Sequence, residues 1–232
     1  MELKRRKQVV EEVAKDVEEN IGKESMVKRD DIKPEDLIST GSTLLNLALS
    51  DTIDGGYCLG SVVHIIGDNH AGKSLLALHL MAEAARDKRF NKYDLVYEEP
   101  EAAMHFPLER MFGKNINRVR FIPENRIKPR TVQDWHNDLK RAEHPFIWVT
   151  DSFDSLTSKD DMKDKKDTEG KEKDVGKGGY NVEKAIVASA TYPKIIGPIK
   201  GHNSLLMVIN QTRDNIGVMF GEKKSFSGGN AI

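Results

Sequence analysis

Residues 61–74 read SVVHIIGDNHAGKS, and this stretch decides the fold. Its last eight residues fit the pattern G-x-x-x-x-G-K-[ST], a loop whose backbone cradles phosphate. Gly67 and Gly72 let the chain turn so that the successive N–H groups of Asp68, Asn69, His70 and Ala71 can point at phosphate oxygens. Lys73 can then reach the terminal phosphates, and the Ser74 hydroxyl can ligate Mg²⁺. His70 is read as offering its backbone amide. Working outward, 61–66 is a short apolar run rich in β-branched residues, and 75–85 carries Leu76, Leu80, Met81 and Ala84 at helical spacing. Strand, loop and helix in that order aim the helix N-terminus, with its orphan amides and positive dipole end, at the phosphate. A nucleotide with Mg²⁺ is the expected ligand, and ATP is the one implied once an ATPase is read from the wider sequence.

The same alternation continues along the chain. Strands are expected at 61–66, 93–97, 118–122, 146–150 and 204–210, and helices at 42–50, 74–86, 131–142 and 181–192. Apolar strands alternating with helices imply an α/β fold around a mainly parallel sheet, with ligands at the strand C-terminal ends. Ahead of it, Leu3, Val10, Val13, Val17 and Ile21 form one helical stripe, Gly22 closes the helix, and a Met26-Val27 extended piece leads to Pro34. The expected organisation is an N-terminal segment over 1–36 and a core over 37–232.

Composition narrows the setting. Hydrophobic residues make up 38% of the 232, and no stretch approaches the roughly 18 apolar residues that cross a bilayer. The charged N-terminus lacks the apolar centre of a secretion signal, and the single cysteine, Cys58, reads as a small packed side chain in a reducing compartment. A cytoplasmic protein without a membrane partner is the expectation. The net charge of −1 gives no bulk attraction to nucleic acid, so any such contact has to come from local loops.

Two segments break the alternation. Residues 159–179 hold seven lysines, seven acidic residues and four glycines with almost no apolar side chain, the composition of a solvated loop. Residues 213–229 follow a strand, carry Lys223 and Lys224 near the middle and end in Ser-Gly-Gly, which reads as a second long loop.

Phosphate chemistry also needs a carboxylate on the metal side and a group that activates water. Asp151, ending the strand Phe146-Ile-Trp-Val-Thr150, is the metal-side candidate, and Asp154 reads as a helix cap. For the base, the strand at 93–97 runs into Glu98, Glu99 and Glu101, among which spacing does not choose. Trp148 and Trp135 read as core residues of a strand and a helix, and no histidines show metal-ligand spacing.

Longer blocks carry a resemblance. INQTRDNIGVMFG at 209–221 and SGGNA at 227–231 resemble the second DNA-binding loop of RecA-family recombinases. ISTGSTLLNLAL at 38–49, GDNHAGKSLLALHL at 67–80, FIWVTDSFDSLT at 146–157 and VEENIGKESM at 17–26 are similar to further blocks of that family. The resemblance implies a RecA-like P-loop ATPase core preceded by a polymerisation helix and strand. It implies a DNA-dependent ATPase that assembles on single-stranded DNA as a filament and exchanges strands with homologous duplex DNA in recombination and repair.

Carried over by resemblance, the catalytic glutamate falls on Glu101, because EEPEAA at 98–103 is similar to the family's acidic motif; Glu98 and Glu99 then become surface charges, with Glu99 the alternative base. Gln211 matches the glutamine that senses the terminal phosphate and connects it to the DNA loop. In that loop Arg213, Lys223 and Lys224 are the expected phosphate contacts, Gly217, Gly228 and Gly229 permit close backbone approach, and Ile216 is placed to wedge between bases. The 159–179 loop stands where the family carries its first DNA loop, without matching it; Lys177, Gly178 and Gly179 are its candidate contacts. Where the family packs an aromatic ring on adenine, Leu108 falls near the position and Phe106 lies two residues earlier.

The match runs out at Ile232, before further strands and basic residues that in the family reach a neighbouring subunit. A fragment of a divergent, phage-type member is therefore expected. The alternatives are a truncated paralogue that joins or caps filaments without turnover, and a helicase or clock-type ATPase of related fold; self-association is expected as a helical filament or a ring.

Overall fold

In the computed structural model, residues 32–101, 104–122, 129–157, 179–214 and 224–225 are described. The expected N-terminal helix and the Met26-Val27 piece lie outside them, as do Lys177 and Gly178. The chain divides into two compact units, Met1–Pro34 and Glu35–Ile232, and the elements that follow belong to the second.

Five strands form one sheet: β3 (Ser61–Gly67), β4 (Asp94–Glu98), β5 (Arg120–Ile122), β6 (Phe146–Thr150) and β7 (Leu205–Gln211). Their order is β3-β7-β6-β4-β5 and every pairing is parallel. A short antiparallel pair, β1 (Leu37–Ile38) with β2 (Tyr57–Cys58), precedes the sheet. Among the described residues five helices connect the strands: α1 (Thr43–Ser50), α2 (Lys73–Arg86), α3 (Leu108–Phe112), α4 (Val132–Lys140) and α5 (Gly179–Gly201). The expected α/β class and all five expected strands are therefore present, with bounds moved by at most two residues.

Alternation within each strand sorts side chains to two cores. Leu95, Tyr97, Ile147, Val149, Leu205, Met207 and Ile209 pack with Leu78, Met81 and the alanines of α2 on one face. Val96, Trp148, Leu206 and Val208 pack with Trp135 and Leu139 of α4 and Ala188, Ile195 and Ile199 of α5 on the other. A sheet covered on both faces explains why its strands read as nearly unbroken apolar runs.

Two expectations are corrected. The helix expected at 181–192 runs from Gly179 to Gly201, through Pro193 and Pro198. Each interior proline costs a helix about 3 kcal/mol. Ile195 and Ile199 lie beyond the first of them and are 2% and 1% exposed, and each such burial returns about 1.5–3 kcal/mol. Packing thus offsets the local penalty. The second correction concerns the long loop read over 213–229: its described residues form a ladder, β8 (Arg213–Asp214) antiparallel to β9 (Lys224–Ser225), with Arg213 opposite Ser225.

Candidate nucleotide site

Parallel register brings the C-terminal ends of β3, β7, β6 and β4 to one edge. Gly67 is paired with Gln211, Thr150 with Val208, and Glu98 with Thr150. Each strand then releases its next residues over the same edge, where they enclose a cavity of about 600 Å³. Its walls are Asn69 to Leu75 of the phosphate loop and α2, Glu99 and Glu101 after β4, Met104 and Phe106, Asp151 and Ser152 after β6, and Gln211. That volume lies within the range of small-ligand sites.

Helix α2 begins at Lys73, with Gly72 as its cap at φ 87°. Nothing lies within 4 Å of where a Gly72 side chain would start, so the left-handed backbone rather than space requires glycine there. His70 takes φ 60° and Ser152 φ 67°. Two non-glycine residues in left-handed backbone border one cavity, a conformation costing on the order of 1 kcal/mol or more each and concentrated at functional sites.

The Lys73 ammonium donates to the carbonyls of Gly67 at 3.0 Å and Asp68 at 2.7 Å. Both acceptors belong to its own loop, so an incoming phosphate exchanges one set of oxygens for another without uncovering a buried charge. Gly67 and Asp68 themselves shape the loop and do not line the cavity. The Gly67 carbonyl also accepts the Thr212 N–H at 3.2 Å, and the Asp68 carboxylate accepts the Thr212 hydroxyl.

Asp151 is 5% exposed, and its Oδ2 accepts the Tyr97 hydroxyl at 2.6 Å. Burial pushes its carboxyl above the ordinary carboxylate range; hydrogen bonds from Tyr97 and Ser74 pull it down, nearby Glu101 pushes up, and Lys73 pulls down. Ser74 and Asp151 border the same cavity, one offering a hydroxyl and the other a carboxylate. Hard oxygen donors in that number suit Mg²⁺, which keeps its other positions for water and phosphate oxygens. Among the described residues there is no cluster of three or more His, Cys, Asp or Glu able to hold a metal.

The three carboxylates at the end of β4 separate by geometry. Glu98 was expected at the surface and is instead fully buried on the sheet face away from α2. Arg130 donates to it at 2.5 Å, Trp148 at 3.0 Å and the Thr150 hydroxyl at 3.4 Å. Burial pushes the Glu98 carboxyl up, and Arg130 and Trp148 hold it down. Glu99 is half-buried and Glu101 exposed, both on the cavity wall; Glu101 accepts the Ser155 hydroxyl at 2.6 Å.

Asp154, expected as a cap, does not cap the short turn Phe153–Ser155, which has no side-chain cap; its carboxylate accepts the Gln211 N–H at 2.7 Å. Phe106, 42% exposed, borders the cavity, whereas Leu108 packs against the core beside α2. The buried hydroxyl of Tyr97 was missed by reading the sequence, because an aromatic strand residue carries no local mark of its partner 54 positions on. Trp148 and Trp135 are core residues as expected, and each spends its indole N–H on a buried oxygen. Cys58 is half-buried, its thiol pushed up by burial and by Asp36. Of the expected DNA contacts, only the backbones of Gly179, Arg213 and Lys224 are described, the first opening α5 and the other two in the ladder; Ile216, Gly217, Lys223, Gly228 and Gly229 lie outside the described residues. No described helix is long and apolar enough to cross a membrane.

Comparison with known proteins agrees with this geometry. Residues 8–232 match the RecA N-terminal domain profile. The chain is 31% identical over 219 residues to Protein RecA of Colwellia psychrerythraea, covering 93% of this chain and 58% of that protein. It is 29% identical over 219 residues to Protein RecA of Bacteroides thetaiotaomicron, with 93% and 60% covered, and 29% identical over 221 residues to that of Mesoplasma florum, with 94% and 60% covered. It therefore spans about three-fifths of the length of these relatives. With a parallel five-stranded sheet, a phosphate loop opening α2 and a domain match over nearly its whole length, the chain belongs to the RecA family.

Proposed function

We propose that this chain is the nucleotide-binding core of a DNA-dependent ATPase that acts as a recombinase, assembling with ATP on single-stranded DNA and exchanging strands with homologous duplex DNA. One observation carries the reading: the phosphate loop, Asp151, Glu101 and Gln211, which belong to four different strand ends, border a single cavity. In this reading the 67–74 loop and the amino end of α2 bind the phosphates, with Lys73 on the terminal ones. Ser74 and Asp151 hold Mg²⁺, which would neutralise charge on the phosphates. Glu101 orients or deprotonates the attacking water, with Glu99 on the same wall as the alternative. Phe106 is the ring nearest to hand for the base.

Gln211 has a second task here. It ends β7, and Thr212 and the β8–β9 ladder follow at once, so an amide that binds the terminal phosphate and lets go after hydrolysis biases the segment carrying Arg213, Lys223 and Lys224. Residues 1–36 supply the self-association helix and 37–232 the core, in a cytoplasmic setting.

ATP turnover with and without single-stranded DNA tests the reading, on a chain extended to the length of its relatives. Turnover stimulated several-fold by single-stranded DNA supports it; turnover indifferent to DNA overturns it. Tight ATP binding without turnover would favour a paralogue that joins filaments passively.

A further inference from the structure

Gln211 borders the cavity, but its backbone is not held by the sheet on both sides. On one side β3 stays paired with β7 as far as Gly67 and Gln211. On the other, the pairing with β6 ends at Thr150 and Val208, three residues short of Gln211. Beyond that rung the turn after Asp151 takes the place of a strand, and its Asp154 offers a side-chain oxygen where a ladder carbonyl would stand: Oδ2 accepts the Gln211 N–H at 2.7 Å. A carboxylate is a stronger acceptor than the carbonyl it replaces.

Asp154 is itself 3% exposed and is gripped from behind. Lys184 of α5 is fully buried, and its ammonium donates to the Asp154 carbonyl. Lysine is almost never fully buried unless paired, so this contact fixes where α5 sits against the 151–155 turn. A chain of contacts thus runs from α5 through Lys184 and Asp154 to the main chain of Gln211.

We propose that Asp154 is a positioning residue for the phosphate site, fixing the main chain of Gln211 and so where its amide enters the cavity, and that Lys184 makes this placement answer to α5. The proposal rests on the reading of Gln211 as the residue that reports the terminal phosphate. Asp154 is not among the residues that line the cavity, so its effect on turnover passes through Gln211.

The test uses the full chain with Asp154→Ala, Asp154→Asn and Lys184→Met, reading hydrogen exchange at the Gln211 amide, affinity for a fluorescent ATP analogue, and kcat and KM for ATP with single-stranded DNA. Asp154→Ala should speed Gln211 exchange and lower kcat, each by about ten-fold or more, while analogue affinity and KM stay within about three-fold. Asp154→Asn keeps an oxygen acceptor and should restore exchange and kcat to within about three-fold of the parent. Lys184→Met should speed Gln211 exchange by at least about three-fold. A folded Asp154→Ala protein with exchange or kcat within about two-fold of the parent overturns the proposal. If Asp154→Ala does not fold, Lys184→Met and Asp154→Asn decide: parent-like exchange in the first, or fast exchange in the second, overturns it. A parent chain that binds nucleotide without turnover removes the functional reading alone, and the Gln211 exchange arm then decides the positioning by itself.

Discussion

Removing one oxygen atom at Tyr97 gives a sharp test of the site's electrostatics. Tyr97 is fully buried in β4 and donates to Asp151 at 2.6 Å; Tyr97→Phe keeps the ring and its packing and deletes only the donor. A hydrogen bond to an ionised group contributes about 1.5–3 kcal/mol, so the variant should lose about 2 kcal/mol at neutral pH. At 2–4 °C per kcal/mol for a chain of this size, that lowers Tm by roughly 4–8 °C.

The pH dependence carries more information than the size. Burial raises the Asp151 carboxyl above its unfolded value, so its contribution to stability is complete below the ordinary carboxylate range and is lost as pH climbs through the raised value. The Tyr97 bond favours the charged form and lessens that loss. The penalty of Tyr97→Phe should therefore be largest at neutral pH and shrink in acid, where Asp151 is protonated with or without the donor. Urea melts across this range measure it, with Asp151→Asn as the second arm of a double-mutant cycle. A neutral-pH penalty below about 0.5 kcal/mol, one that does not change with pH, or an unchanged penalty in the Asp151→Asn background would refute the reasoning.

Four further outcomes are expected. Lys73→Ala should abolish nucleotide binding or turnover, read by titration with a fluorescent ATP analogue, because among the described residues no other cation is placed on the loop carbonyls. Glu101→Gln should bind ATP normally and hydrolyse it at least about two orders of magnitude more slowly; full hydrolysis moves the role to Glu99. Gln211→Ala should leave ATP affinity near normal while DNA affinity, measured by anisotropy, ceases to depend on ATP. Arg130→Ala strands the buried Glu98 carboxylate, which calls for a loss of about 3–5 kcal/mol in a denaturant melt. Adding Glu98→Gln should recover part of it, and an additive double variant counts against the pair.

The sequence made the sheet legible because its signals are local. Apolar alternation, the loop glycines and the helical spacing after Ser74 each lie within a dozen residues, and the strands and α2 follow from them. What stayed illegible depends on partners far along the chain. Glu98 looks like its neighbours in EEPEAA, yet it continues the β4 face of Val96 and meets Arg130, 32 residues on, whereas Glu99 and Glu101 have already turned over the sheet edge. Asp154 carries the composition of a cap and does the work of a missing ladder rung, because β6 stops before β7 does. The prolines of α5 mislead for a related reason, since the burial that outweighs them belongs to the sheet face and not to the helix.

The position of β7 also governs when the protein can be finished. β7 is the last of the five sheet strands to be synthesised, yet it lies between β3 and β6. Until residues 205–211 emerge, β3 lacks the strand that pairs with it among the described residues. Such long-range pairing makes folding slow and leaves strand edges open in the nascent chain. The cavity and the middle of the sheet are completed by the same event, because Gln211, the end of β7, is also part of the cavity wall.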